Sequence, residues 1–135
     1  MTQSAAQQNV TVVQKIYEAF GRGDLPGLLS FLSADIDWEL IGPREVPYFN
    51  RFQGHEEVQR CFALMAENGE YEEFAVDEMI SAERSVIVLG RERKKFAASG
   101  RSYTARWCHI FDFADGKVLK FREFIEPSPI VEALR

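Results

Sequence analysis

The stretch RWCHIFDFADGKVLKFREFIEPSP, residues 106–129, consists of two apolar segments separated by Asp115 and Gly116. Asp-Gly between alternating apolar residues is the strongest short-range signal for a β-hairpin. The stretch therefore predicts two antiparallel strands, at about 102–113 and 117–126. His109, one of two histidines in the chain, lies among aromatic residues of the first strand.

Upstream of this hairpin, the pattern of apolar residues changes from helical spacing to alternation near residue 70. Helical spacing predicts a helix from Asn9, a short second helix capped by Asp24, and a third helix over 54–68. Alternation predicts a half-buried strand in ADIDWELIG (34–42) and two further strands at about 71–80 and 85–95. PREVPYFNRFQG (43–54) is predicted to be a loop.

These elements predict one domain of the α+β class. We expect three N-terminal helices packed on a strongly curved, mainly antiparallel sheet, in an α+β roll shaped like a cone. The domain is predicted to span 9–135, after a flexible N-terminus over 1–8. A chain of 135 residues can bury a sufficient core without a disulfide or a structural metal.

Composition excludes several classes of partner. The net charge of −5 argues against binding to nucleic acid or to an anionic membrane surface. The one basic run, 91–95, is interpreted as a solvated strand edge. Two cysteines without CxxC spacing predict reduced thiols and a cytoplasmic protein. The N-terminus has no signal-peptide pattern, and no segment approaches the length of a membrane span.

A candidate pocket follows from the period of two along strands. Trp107 and His109 share one face of their strand, whereas Arg122, Phe124 and Glu126 share one face of the return strand. If both faces line the concave side of the sheet, His109 and a carboxylate meet in one enclosure with apolar walls. The predicted catalytic residues are Glu126 and His109, and the predicted substrate-binding residues are Trp38, Phe62, Met65, Trp107, Arg122 and Phe124.

Each of these residues also has a structural interpretation. His109 can be a core histidine whose nitrogens bond to backbone or water, and Trp38 and Trp107 can be core aromatics. Glu126 can be a polar strand end, and Arg122 can simply pair with a neighbouring glutamate. The spacing of histidines, cysteines and acids predicts no metal site, and no phosphate-binding loop or nucleophile motif is present. Any chemistry would therefore be proton transfer without a metal or an organic cofactor.

The order of elements resembles that of the SnoaL-like and ketosteroid isomerase-related proteins of the nuclear transport factor 2-like superfamily. The likeness is carried by three segments: VVQKIYEAFGRGDLPGLLSFLSADIDWEL, FQGHEEVQRCF, and VIVLGRERKKFAASGRSYTARWCHIFDFADGKVLKFREFIEP. It implies a cystatin-like cone with a deep pocket, and dimerisation through the outer face of the sheet. It also implies that Glu126 stands where polyketide-cyclase-like members carry a catalytic aspartate. Trp107 and His109 match a Trp-x-His pattern that faces the pocket, and Arg122 matches a basic or polar position beside the carboxylate.

Three functions remain open. The first is an isomerase, cyclase or hydrolase that uses Glu126 or His109 as acid and base on a hydrophobic cyclic or carbonyl substrate. The second is a non-catalytic domain that binds an apolar metabolite, and the third is a dimeric interaction module. A buried carboxyl with a raised pKa favours the enzyme, whereas a solvent-exposed, paired Glu126 favours the other two. The expected partners are a small hydrophobic molecule and a second copy of the chain.

Overall fold

The structure is a computed structural model that describes residues 4–135. No helix among these residues is long and apolar enough to cross a membrane. The elements in chain order are α1 (Ala5–Gly21), α2 (Leu25–Leu29), β1 (Leu32–Ile41), β2 (Arg51–Gln53), α3 (Gly54–Asn68), β3 (Gly69–Ala82), β4 (Ser85–Phe96), β5 (Ser102–Ala114), β6 (Lys117–Ile125) and α4 (Pro127–Leu134).

The first helix begins earlier than predicted. Ser4 is its N-cap, and a reciprocal capping box joins Ser4 and Gln7, so residues 5–8 are helical and Asn9 is not the cap. Residues 1–3 of the predicted flexible N-terminus lie outside the described residues. The predicted cap of α2 is confirmed, because Asp24 accepts a hydrogen bond from the backbone N–H of Gly27 at 3.0 Å.

The predicted α+β fold class is confirmed. Six strands form one curved, unclosed sheet in the order β2-β1-β6-β5-β4-β3. All neighbouring strands are antiparallel except β1 and β6, which run parallel. The short strand β2 lies within the segment that was predicted to be a loop. Helix α4, which packs against β5, was not predicted.

A β-bulge in the last hairpin decides which side chains of β6 face the core. Next to the turn, Phe113 pairs with Val118, but the next pair is Asp112 with Lys120, so Leu119 is an extra residue. An extra residue shifts the alternation by one. Beyond the bulge, the inward row of β6 is therefore Phe121, Glu123 and Ile125, opposite Phe111, His109 and Trp107. The alternate row of β6, Lys120, Arg122 and Phe124, faces outward.

The outer face of the sheet carries an apolar row that crosses four strands. Leu89 pairs with Cys108, Cys108 pairs with Phe124, and Phe124 pairs with Ile41. The fractional exposures of Leu89, Phe124 and Ile41 are 38%, 43% and 38%, which is high for side chains of this kind. The inner face, in contrast, is covered by α1 and α3.

Candidate functional site

Two adjacent chambers lie between the helices and the inner face of the sheet. The inner chamber, of about 50 Å³, is lined by aromatic and aliphatic side chains together with His109, Glu92 and Glu123. The outer chamber, of about 420 Å³, lies between the ends of α1, α2 and α3 and the start of β3, and no charged residue lines it. Both chambers are lined by Phe20, Leu28, Phe62, Met65 and Tyr71.

A chain of three polar side chains crosses the inner chamber. The hydroxyl of Tyr17 lies 2.6 Å from Nδ1 of His109, and Nε2 of His109 lies 3.2 Å from Oε1 of Glu123. Burial lowers the pKa of His109 to about 3, so the imidazole is neutral at physiological pH. A neutral imidazole has one N–H. With an ionised Glu123 that N–H is on Nε2 and donates to the carboxylate, while Nδ1 accepts from the hydroxyl of Tyr17.

A second buried polar cluster lies on β4, next to the first. Oε2 of Glu92 accepts a hydrogen bond from the hydroxyl of Tyr103 at 2.6 Å. Nζ of Lys94 donates to the hydroxyl of Tyr48 and to the carbonyl oxygen of Met65, both at 3.1 Å. The side chain of Lys94 is fully buried and that of Glu92 is 3% exposed.

Burial dominates the electrostatics of these groups. It raises the pKa of both Glu92 and Glu123, and the charge of Glu123 raises that of Glu92 further, while Lys94 opposes both shifts. Burial also lowers the pKa of Lys94 to about 8, although the two carboxylates favour its charged form. The inner chamber thus brings together two carboxyls and one neutral imidazole, and the buried ammonium of Lys94 acts on both carboxyls from outside the lining. Among residues 4–135, no His, Cys, Asp and Glu side chains cluster in a way that could hold a metal ion.

The predicted position of Glu126 in the cavity is wrong. Its carboxylate accepts from the backbone N–H and the guanidinium of Arg106 at 2.8 to 3.1 Å, on the outer face of the sheet. These hydrogen bonds lower the pKa of Glu126 to about 2. The condition set for an enzyme, a buried carboxyl with a raised pKa, is met by Glu123 and not by Glu126.

Arg122 and Phe124 also lie outside the cavity, contrary to prediction. Arg122 approaches Asp112 at 3.5 Å on the outer face, and Phe124 belongs to the apolar row there. The physical reason is the same for all three residues. Val118 faces the core, and a regular strand would carry this orientation to Arg122, Phe124 and Glu126, but the bulge at Leu119 reverses it.

The remaining predicted site residues lie at the inner chamber or next to it. His109, Trp38, Phe62 and Met65 line the inner chamber. Trp107 lies behind it and stacks on His109, with 3.8 Å between ring centroids.

This stack depends on Gly90, the residue of β4 that pairs with Trp107. A Cβ at Gly90 would lie 2.3 Å from the indole of Trp107 and 2.4 Å from the carbonyl oxygen of Ala75. The absence of a side chain at Gly90 therefore lets Trp107 lie flat across β4 and support the imidazole of His109.

Sequence reasoning missed Glu92, Lys94, Glu123 and Tyr17 as residues of the site. A signal for the first two was present in the basic run 91–95, which was interpreted as a solvated edge. Arg91, Arg93 and Lys95 are indeed exposed, but Glu92 and Lys94 continue the inward row of Val86 and Val88. A charged residue in phase with buried apolar residues indicates a buried polar site. No comparable signal distinguished Glu123, because its orientation depends on the bulge.

Comparison with known proteins gives a family for this fold and site. The model of the SnoaL-like domain matches residues 13–121. The chain belongs to the SnoaL-like domain family. None of the curated proteins matches the chain significantly.

Solved structures similar to this SnoaL-like domain agree with the fold. An NTF2-like protein of unknown function from Burkholderia pseudomallei K96243 is 28% identical, with a TM-score of 0.84, and the match covers 93% of this chain and 96% of that one. An NTF2-like protein from Burkholderia xenovorans LB400 is 27% identical, with a TM-score of 0.84 and coverages of 96% and 97%. TerC, co-crystallised with polyporic acid, is 20% identical, with a TM-score of 0.82 and coverages of 94% and 98%. At this identity TerC shares the fold alone.

Proposed function

We propose that this SnoaL-like domain binds a small, apolar carbonyl compound and transfers a proton on it without a metal or an organic cofactor. In this proposal Glu123 is the acid and base, and His109 holds its carboxyl in place. The observation that carries the proposal is a pair of buried hydrogen bonds that link Tyr17 to His109 and His109 to Glu123 inside an aromatic cavity. The activity is of the isomerase or cyclase kind, in which a proton is taken from one carbon and delivered to another atom.

The environment of Glu123 suits proton transfer near neutral pH. A general base works best when its pKa lies near the working pH, and burial moves the pKa of Glu123 in that direction. The hydrogen bond from neutral His109 fixes the orientation of the carboxyl group. Tyr17 fixes the orientation of His109 in turn, because its buried hydroxyl has a pKa raised well above 10 and remains a donor.

The walls of the cavity define the class of ligand. The outer chamber is largely apolar and can hold the hydrocarbon part of a ligand, whereas the two carboxyls and the imidazole line only the inner chamber. An apolar molecule with one carbonyl group at its inner end matches this division. TerC, which shares the fold, was co-crystallised with polyporic acid, and this supports testing small organic compounds first.

Exchange of hydrogen for deuterium at the carbon beside a carbonyl group tests the proposal directly. We would incubate the protein in D₂O with a panel of neutral, enolisable aryl ketones and follow the loss of the α-proton by NMR. We expect acceleration by the wild type and a loss of about 10²-fold or more in Glu123→Gln, since the amide cannot accept the proton. Glu126→Gln, the matched control, should retain activity. An equally active Glu123→Gln variant would contradict the proposed role of Glu123.

A non-catalytic binding domain is the second candidate, and the outer chamber favours it. That chamber is the larger of the two and holds no charged residue, so it could bind an apolar molecule that never reaches Glu123. The same ketone panel separates the candidates. Thermal stabilisation of the protein by a ketone without any exchange of its α-protons would indicate binding alone.

We also propose that the chain forms a homodimer through the outer face of the sheet. The apolar row of Leu89, Cys108, Phe124 and Ile41 is the surface to be covered. Nearby pairs carry both signs of charge, Arg106 with Glu126 and Arg122 with Asp112, which allows a second copy related by a two-fold axis to be complementary. Light scattering should give twice 15.5 kDa, and Phe124→Glu should give a monomer. A wild type that is monomeric at micromolar concentration would refute the dimer.

We propose a reducing compartment, the cytoplasm, as the place of action. Both cysteines are free, and Cys61 is buried, where burial raises the pKa of its thiol to about 12. A thiol of this kind is unreactive, so it is suited to a structural role without oxidation.

A further inference from the structure

We infer that Phe62 of α3 limits the passage between the two chambers, so that only a small carbonyl end of a ligand, such as the acetyl group of a methyl ketone, reaches Glu123. The apolar body of the ligand stays in the outer chamber. The role of Glu123 here rests on the proposed function, whereas selection by size can be measured as binding, without any reaction. Phe62 is thus assigned as the side chain that determines which carbonyl compounds are accepted.

The inner chamber is too small for a ring. Its volume is about 50 Å³, whereas an apolar cavity that binds benzene has a volume of about 150 Å³. A water molecule needs roughly 10–15 Å³, so the inner chamber has room for about three or four non-hydrogen atoms. An acetyl group has this size. The outer chamber, of about 420 Å³, has ample room for a ring.

The boundary between the chambers is formed by side chains that line both of them. These are Phe20, Leu28, Phe62, Met65 and Tyr71. The ring of Phe62 lies 6.0 Å from that of Phe20, between centroids, and the ring of Phe20 lies 5.8 Å from that of Tyr71. A ligand that comes from the outer chamber therefore passes between aromatic rings before it reaches the inner one.

Among these boundary residues, Phe62 is best placed to set the width of the passage. Met65 and Tyr71 are held by Lys94, whose Nζ donates to the carbonyl oxygen of Met65 at 3.1 Å and lies 4.6 Å from the ring centroid of Tyr71. Phe62 is half-buried, and its ring lies 5.8 Å from that of Trp38, which lines only the inner chamber. The ring of Phe62 therefore extends from the shared boundary to the inner chamber, and its size decides what can enter.

The lining of the outer chamber orients the ligand. It includes four small residues, which leave the space open, and no charged side chain: Ala19, Gly23, Ala66 and Gly69 are the small ones. Burial of an apolar body there removes hydrocarbon from water without bringing it next to a carboxyl. The carbonyl end then points past Phe62 toward Glu123, which lines only the inner chamber.

Two isomeric ketones test the selection directly. Isobutyrophenone and para-ethylacetophenone have the same atoms, but the first carries its additional carbons at the acyl end and the second at the far end of the ring. We would measure the binding of both, and of acetophenone, by isothermal titration calorimetry. In the wild type we expect para-ethylacetophenone to bind at least as tightly as acetophenone. Isobutyrophenone should bind about 10-fold more weakly or worse, because overfilling a small chamber forces its walls apart.

Phe62→Ala should remove this preference. Loss of the ring joins the two chambers, so the ratio of affinities for the two isomers should fall to about 3-fold or less. Phe31→Ala is the matched control, because Phe31 is a partly buried phenylalanine that packs against the core and lines neither chamber. It should keep the ratio of the wild type. Should Phe62→Ala fail to fold, Phe62→Leu is milder and should give an intermediate ratio.

The outcomes separate selection at Phe62 from catalysis at Glu123. Isomers that bind the wild type equally, or a ratio unchanged in the Phe62 variants, would overturn the role of Phe62 even if Glu123→Gln abolished ketone exchange. Failure of the wild type to bind any of the three ketones would overturn it as well. A ratio that depends on Phe62, without any exchange of α-protons, would support selection by size and contradict only the proposed function.

Discussion

Glu123 and Glu126 lie three residues apart at the end of the same hairpin, yet their surroundings have opposite effects. Glu123 faces the inner chamber beside a neutral histidine, and burial raises its pKa. Glu126 faces outward, where Arg106 lowers its pKa to about 2. The same side chain therefore holds a proton more readily in one place and loses it more readily in the other.

This comparison shows that one extra residue in a strand can decide where chemistry is possible. Without the bulge at Leu119, the alternation of β6 would place Glu126 inside and Glu123 outside. Strand β4 shows the same contrast between two lysines, and no bulge is involved. Lys94 is fully buried, whereas its neighbour Lys95 is exposed. Paired substitutions on the two faces can thus test how far the inner face differs from the outer one.

The largest effect is expected for Lys94→Met compared with Lys95→Met. Methionine keeps most of the volume of lysine but removes the charge and the donors to Tyr48 and Met65. Removal of one partner from a buried charge cluster typically costs about 3 kcal/mol or more of unfolding free energy. Lys95→Met should stay within about 0.5 kcal/mol of the wild type. Urea denaturation at pH 7, where Lys94 is mostly charged, measures both variants.

The cost of Lys94→Met should also depend on pH. At pH 7 Lys94 is mostly charged in the wild type, and the variant leaves the buried carboxyls without this cation, whereas at pH 5 both carboxyls can hold protons and need none. We expect the difference from the wild type to be smaller at pH 5. An equal cost at both values would show that the loss comes from packing and not from charge.

The next effect concerns the support of His109. Gly90→Ala places a methyl group against Trp107 and the backbone of Ala75, and overpacking of this kind typically costs about 1–3 kcal/mol. Gly21→Ala is the control, because nothing lies within 4 Å of its added methyl group. Chemical denaturation and near-ultraviolet circular dichroism of the tryptophans would measure the change. Wild-type stability in Gly90→Ala would show that Trp107 can move without cost.

Local patterns predicted much of the fold. The Asp115-Gly116 turn, the cap at Asp24 and the alternation over β4 and β5 each depend on a few consecutive residues. The limits of α3 and of five strands follow from such patterns to within about two residues. The capping box of Ser4 and Gln7 was equally local and was overlooked, which is why α1 was predicted to begin too late.

The candidate site could be predicted only in part, because it depends on contacts between distant segments. The alternation of side chains along a strand predicted that Trp107 and His109 share one face. They do, since no bulge interrupts the pairing of β5 with β4. Glu123 depends on the bulge, which no short motif announced, and Tyr17 reaches His109 from a helix 92 residues earlier. The short strand β2 exists because it pairs with β1, so the propensity of Arg51–Gln53 could not reveal it.

The smallest effect is expected on the outer face, where Glu126→Gln can be compared with Glu123→Gln through the pH dependence of stability. Because the pKa of Glu126 is lowered from 4.5 to about 2, the unfolded state binds more protons between these values. Its contribution is therefore present above pH 4.5 and is lost as the pH falls toward 2.

The contribution of Glu123 to the pH dependence of stability has the opposite sign. Its raised pKa means that the folded state binds more protons, so stability is greatest below pH 4.5 and falls as the pH rises above it. In urea denaturation from pH 2 to pH 8, Glu126→Gln should reduce the change in unfolding free energy only between pH 2 and pH 4.5. The reduction should be close to the error of the measurement, because the pair with Arg106 is exposed to solvent. Glu123→Gln should make the decline in unfolding free energy above pH 4.5 less steep, and this effect should be the larger of the two. Similar changes in the same pH range would mean that the two carboxyls do not differ in the way their positions require.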